Sequence, residues 1–196
     1  MSSTDELVSE LKSAFQLTGK CEFRPDSTWF SYGSNLNRVY FETKMQKRGS
    51  DLTLINPKKA VLNDFGRLLD NESSGHGLGY EIHYKAGESV EGVVHTIPDQ
   101  ELGKFLRMEG IVAADGHVSK SPTYKIVQAT VHSNGKAIEA LALEGNKRRN
   151  EERRKVLARS KLRELREYIE ASIAGAAAQG CNARQFESDL QWLASL

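Results

Sequence analysis

Ser31-Tyr32-Gly33-Ser34-Asn35-Leu36 stands where a β-type run hands over to a helical one. Before it, residues 28–32 read as a short strand. After it, Leu36, Val39, Tyr40 and Thr43 recur at helical spacing, Lys44 to Arg48 suit a negative helix end, and Gly49 stops the run. A helix is therefore expected over 37–48. Gly33 permits close backbone approach, and unpaired N–H groups at such a junction attract anions. A free carboxylate would suit the loop. Plain helix capping by Ser34 or Asn35 accounts for the same residues.

Working outward, Ser3-Thr4-Asp5-Glu6 has capping-box spacing, and Leu7, Leu11, Ala14 and Phe15 share a helical face. With Gly19 as a stop and a break at 24–26, residues 1–26 read as a helical extension and 27–196 as one domain. Strands are expected over 52–63, with Pro57 at an edge or bend, and over 65–70, 78–85 and 90–97. Two more, 123–132 and 136–144, flank Ser133-Asn134-Gly135, a strong hairpin turn. Residues from 147 onward read as helix, broken at Gly180. Strands first and helices gathered at the end indicate an α+β domain, a mixed barrel or sheet with surrounding helices and a helical C-terminal segment.

Between the strands, Pro98 opens a helix that ends at Gly110. Its apolar positions are Leu102, Phe105 and Leu106, and Glu109 follows them by seven, four and three residues. Glu109 thus shares the core-facing stripe. A carboxylate at a core edge is a candidate general acid/base, while a last-turn glutamate bending out to water is the plainer reading.

Bulk properties exclude several classes. The 196 residues carry a net charge of +1, so the whole molecule offers no electrostatic case for nucleic acid. No apolar run approaches the ~20 residues of a membrane span. Cys21 and Cys181 form no Cys-x-x-Cys pair, which points to reduced thiols and a cytoplasmic protein. The five histidines (76, 83, 95, 117, 132) lack metal-ligand spacing, so no metal is expected and they read as scattered surface and strand residues. Gly75-His76-Gly77-Leu78-Gly79 lacks the Lys-Ser/Thr of a phosphate loop and reads as a hairpin or pocket-edge loop. Residues 147–167 hold ten Lys or Arg against four Glu, a local excess of six positive charges. Either they grip an acidic partner, or they form a solvated arm whose glutamates pair with arginines at helical spacing. With no aromatic among the basic residues before Tyr168, single-strand stacking has no platform.

Tyr32-Gly33-Ser34-Asn35-Leu36, Glu91-Gly92-Val93-Val94 on a strand, and Met108-Glu109-Gly110 after an amphipathic helix together resemble the γ-glutamylcyclotransferase family, over about residues 29–193. The resemblance implies that fold, and a reaction in which a γ-glutamyl amide closes on itself to 5-oxoproline and frees its amine, with no metal or cofactor. It implies Glu109 as acid/base, the loop Tyr32, Gly33, Ser34, Asn35 and Leu36 as holder of the γ-glutamyl group, and Tyr124 and Tyr168 as pocket tyrosines. On residue type alone, either tyrosine is equally a core residue.

The chain departs from the pattern in three places. Glu91 stands where relatives carry an aromatic, Ala140 to Leu143 lack a tyrosine common there, and the glycine-rich stretch survives only as 75–79. The partner implied is a small γ-glutamyl molecule of open leaving amine. The alternative is a catalytically silent binding protein that uses the basic segment 147–167 for an acidic partner. The long helices permit a homodimer.

Overall fold

A computed structural model describes residues 4–17, 27–146 and 149–196 of the chain. Five strands, β1 (Ser27–Ser31), β2 (Ile55–Ser73), β3 (Gly77–Ile97), β4 (Tyr124–Ser133) and β5 (Lys136–Gly145), close into a barrel in the order β1-β3-β2-β4-β5. The seam is a parallel pairing of β1 with β5, at Trp29 with Leu141 and Phe30 with Ala142. Among the described residues six α-helices surround it: α1 (Thr4–Phe15), α2 (Arg38–Gln46), α3 (Asp99–Met108), α4 (Glu151–Ser160), α5 (Leu162–Ala178) and α6 (Arg184–Ala194). This is the α+β class expected, with helices gathered at the C-terminal end.

The four strands expected over 52–97 are two. β2 and β3 run on through the proposed breaks, because the irregular residues are accommodated as bulges in a continuous antiparallel pair. The register shifts between Ile55 and Lys58, between Asn63 and Phe65, and between Leu69 and Asn71. Asn56 and Asp64 adopt positive φ of 48° and 60°, a conformation these side chains tolerate better than most. Pro57 falls inside the first of these irregularities, the bend expected for it. The charged helix begins at Glu151 and is interrupted at Lys161. Within the extension, α1 places Leu7 and Leu11 in a core with α3. Gly19, Cys21 and the break at 24–26 lie outside the described residues, as do Lys147 and Arg148 of the basic segment.

Alternation along the strands divides the interior in two. On β5, Ala140 and Ala142 face one core, while Leu141 and Leu143 face the other. The alanines lie with Phe30, Tyr80 and the residues of α5 and α6. The leucines lie with Trp29, Phe41 and Phe105 under α1, α2 and α3.

The helix α5 docks directly on the loop that follows β1. A Cβ built at Gly175 would stand 2.3 Å from the Asn37 nitrogen and 2.6 Å from the Leu36 carbonyl carbon. Asn37 Nδ2 donates to Ala171 O at 3.2 Å across the same contact. Backbone packed on backbone has no side chain to rotate away, so an added methyl must push α5 outward. Gly175→Ala is expected to destabilise the chain by about 1–3 kcal/mol in urea unfolding, the usual cost of overpacking. Wild-type stability in that variant would mean that α5 yields freely.

Candidate functional site

The loop after β1 is a single 3-10 turn, Ser34–Leu36, that leads into α2. The residue that caps α2 is Asn37, whose side chain accepts from Tyr40 N at 3.1 Å. Ser34 and Asn35 are thereby released from capping. Leu36 N and Asn37 N donate to Gly33 O and Ser34 O, closing the turn. Among the described residues, none accepts from the N–H groups of Gly33, Ser34 and Asn35. These three residues line a cavity of about 470 Å³.

Asn35 turns towards α3. Its Nδ2 donates to Glu109 Oε1 at 2.9 Å, and Lys44 Nζ, from α2, lies 3.8 Å from the same oxygen. Glu109 follows α3 directly and is 9% exposed. Gly110 lets the chain turn away at φ +71°, where a Cβ would meet Thr123 Oγ1 at 2.6 Å. The carboxylate therefore lies at the cavity wall with a cation and an amide donor beside it.

Three buried tyrosines surround the same space. Tyr124 donates its hydroxyl to Tyr80 O at 3.0 Å, and Tyr32 donates its own to Leu143 O. Tyr168 Oη accepts from Tyr80 N at 3.0 Å. Burial pushes all three phenols upward, and the negative charge of Glu109 adds to this for Tyr32 and Tyr124. They remain protonated donors at neutral pH. Among the described residues no acceptor takes the Tyr168 hydroxyl proton, so it is available to a ligand.

Tyr32, Gly33, Ser34, Asn35, Glu109, Tyr124 and Tyr168 thus share one cavity. Leu36 does not line it; its side chain is fully buried in the core. Further lining residues include Lys44 and Tyr80, which the sequence did not single out, and His76, from the stretch expected to form a hairpin or pocket-edge loop. His76 sits in the glycine-rich turn between β2 and β3, stacked on Tyr168 with ring centroids 3.9 Å apart. Its flanking glycines were the available signal, since they let the turn fold inward. Burial, reinforced by Lys44, lowers His76 to about 4, so it is neutral. Its Nδ1–H donates to Leu78 O. Among the described residues no group of three or more His, Cys, Asp or Glu converges as a metal site.

Several solved structures resemble this one, three of them as follows. YkqA from Bacillus subtilis aligns with a TM-score of 0.64 at 19% identity, over 88% of this chain and 56% of its own. A structure described as gamma-glutamyl cyclotransferase aligns at 0.60 and 21%, over 83% of this chain and 85% of its own. An uncharacterized protein from Homo sapiens aligns at 0.60 and 20%, over 84% and 86%. The chain has the γ-glutamyl cyclotransferase fold. No family model and no curated protein sequence matches it. The chain spans little more than half the length of YkqA, and most of the length of the other two.

Within the γ-glutamyl cyclotransferase fold, a second histidine supports the loop from behind. His95, on β3, is 2% exposed and shares a 2.8 Å hydrogen bond with Ser31 through Nε2. Burial lowers it to about 4. Both His76 and His95 are below the unfolded value of ~6.5, so the unfolded chain binds their protons first as pH falls. Burial of Asp189 acts in the opposite sense by raising its carboxyl to about 6. Two histidines outweigh one aspartate, and stability is expected to fall as pH drops from 6.5 towards 4. His95→Gln should remove up to ~3 kcal/mol of that fall. Urea midpoints at pH 7 and 4 measure it; an unchanged difference in the variant would refute the assignment.

Proposed function

We propose that the chain is a cofactor-independent cyclotransferase that acts on a γ-glutamyl amide, releasing 5-oxoproline and a free amine. The observation that supports it most is convergence on one cavity: the Glu109 carboxylate, the unpaired N–H groups of residues 33–35 and the free Tyr168 hydroxyl. A volume of about 470 Å³ suits a γ-glutamyl group with part of its leaving amine.

In this reading the loop N–H groups hold a carboxylate or carbonyl oxygen of the substrate and fold it for attack. The substrate's α-amine forms a bond to its own γ-carbonyl carbon, and the original amide C–N bond breaks. Glu109 takes the proton that the attacking amine sheds and returns it to the departing one. Asn35 and Lys44 fix the carboxylate for both transfers. Such acid/base assistance contributes about 10²–10⁴-fold. Orientation within the cavity and hydroxyl or amide donors facing the developing oxyanion supply the rest.

The silent-binding alternative draws little support from the basic segment, since five of its described cations, Arg149, Arg153, Arg154, Lys155 and Arg163, pair within the chain. Arg149 pairs with Glu72 at 2.6 Å, Arg154 with Asp189 at 3.5 Å, Lys155 with Glu151 at 3.7 Å and Arg163 with Glu167 at 3.7 Å. No described helix is long and apolar enough to cross a membrane. Cys181, a free thiol, fits a reducing, cytoplasmic setting, where a 5-oxoproline-forming step would serve glutathione metabolism.

The test is 5-oxoproline release from γ-glutamyl-alanine and a panel of γ-glutamyl amines. Glu109→Gln keeps the shape and the hydrogen bond but cannot take the proton. Release is expected to fall at least about 100-fold in the folded variant. Wild type that releases nothing from any of these would overturn the reading.

A further inference from the structure

Behind the loop lies a cation that the proposed chemistry does not use. Arg67, on β2, is 8% exposed and does not line the cavity. Among the described residues no carboxylate lies within ion-pair distance of it. Its guanidinium carbon is 3.8 Å from the centre of the Phe186 ring and 5.9 Å from that of Tyr80, and its Nε is buried without a partner. Among the described residues, the guanidinium makes one hydrogen bond, Nη1 donating to Tyr32 O at 3.0 Å. Asp189 favours the charge from beyond ion-pair distance, but taking a guanidinium out of water without a direct carboxylate partner is costly, and an apolar side chain of similar volume would fill this site with more stability. Packing accounts for the aromatic neighbours, but not for the charge.

The charge acts on the peptide between Tyr32 and Gly33. A trans peptide directs its C=O and N–H to opposite sides, and no described peptide bond is cis. A cation that holds the Tyr32 carbonyl on the core side therefore aims the Gly33 N–H at the cavity. Rotation of this peptide is otherwise easy, because Gly33 has no Cβ to resist it. Withdrawal of electrons from the carbonyl also makes the N–H a stronger donor, by about 10–30% in polarised hydrogen-bond chains. We infer that Arg67 is a positioning residue that locks and polarises the Tyr32–Gly33 peptide, so that the Gly33 N–H binds an anionic oxygen of the ligand. This rests on the proposed use of the loop as the holder of that oxygen.

The test uses the full chain labelled with ¹⁵N and ¹³C, with 5-oxoproline as the carboxylate probe. Arg67→Met keeps the packing against Phe186 and removes the charge; Arg67→Lys keeps a cation. In Arg67→Met the Gly33 amide proton should move upfield and the 5-oxoproline Kd should rise about tenfold or more, the share of one charge-assisted hydrogen bond. Arg67→Lys should lie between Met and wild type in both readouts, a graded rescue that a purely structural role would not give. A folded Met variant with the wild-type Gly33 shift and the wild-type Kd overturns the inference. Should the Met variant not fold, the wild-type chain decides alone. Its Tyr32 carbonyl carbon must then resonate downfield of the value its backbone angles give, and a shift at that value overturns the inference. Absence of 5-oxoproline release in wild type would sink the proposed reaction, while the amide shift and probe binding still decide the role of Arg67.

Discussion

The peptide groups of Tyr80 are the fixed reference of the cavity. Its N–H donates to the Tyr168 hydroxyl and its C=O accepts from Tyr124, each at 3.0 Å. One residue of β3 thereby holds side chains from α5 and β4, which lie 88 and 44 positions away in sequence. β3 is paired with β1 on one side and β2 on the other, so its backbone has little freedom to move. Leaving either buried group unpaired would cost about 1–3 kcal/mol, enough to keep both tyrosines in place. His76 then stacks on Tyr168, and α5, which carries Tyr168, rests on the turn at Leu36 and Asn37. The hydroxyls and the loop share one frame for that reason.

Charge is distributed about the loop in a matching way. Arg67 stands behind it at the Tyr32 carbonyl, and Glu109 stands in front, joined to Asn35 and near Lys44. The buried cation and the buried carboxylate contact different ends of the same six residues. Neither is placed for the stability of the barrel alone, since apolar residues would serve that purpose with less desolvation. The departures from the family pattern follow the same division. Glu91 binds Lys59 at 2.9 Å and accepts from Asn182 N at 2.7 Å, away from the cavity. Ala140 and Ala142 face a core instead of presenting a tyrosine.

Much of this was legible in local pattern. The Asn134-Gly135 hairpin, Pro98 ahead of α3, and Glu109 on the apolar stripe followed from periods and turn chemistry that neighbouring residues enforce. The joins between strands were not legible, because a bulge at Asp64 and a true break share the same polar residues; the continuous partner strand decides between them. Ser34 and Asn35 were equally good as caps until Asn37 took that role. Leu36, read as part of the binding loop, turned inward because α5 covers it. The glycines around His76 announced a turn at the pocket edge, but not the stack on Tyr168, which depends on a ring of α5 far along the chain.

By itself, then, the sequence determined the α+β class, the hairpin at Asn134-Gly135 and a strand-to-helix junction at residues 31–36, because these depend on interactions between residues a few positions apart. Only the tertiary structure decided that Asn35 meets Glu109, that Tyr80 joins Tyr124 to Tyr168, and that Arg67 lies behind the Tyr32 carbonyl. Each of those contacts spans from 35 to 88 positions. They come into being when the barrel closes and its faces are covered, a condition set by packing that no local window contains.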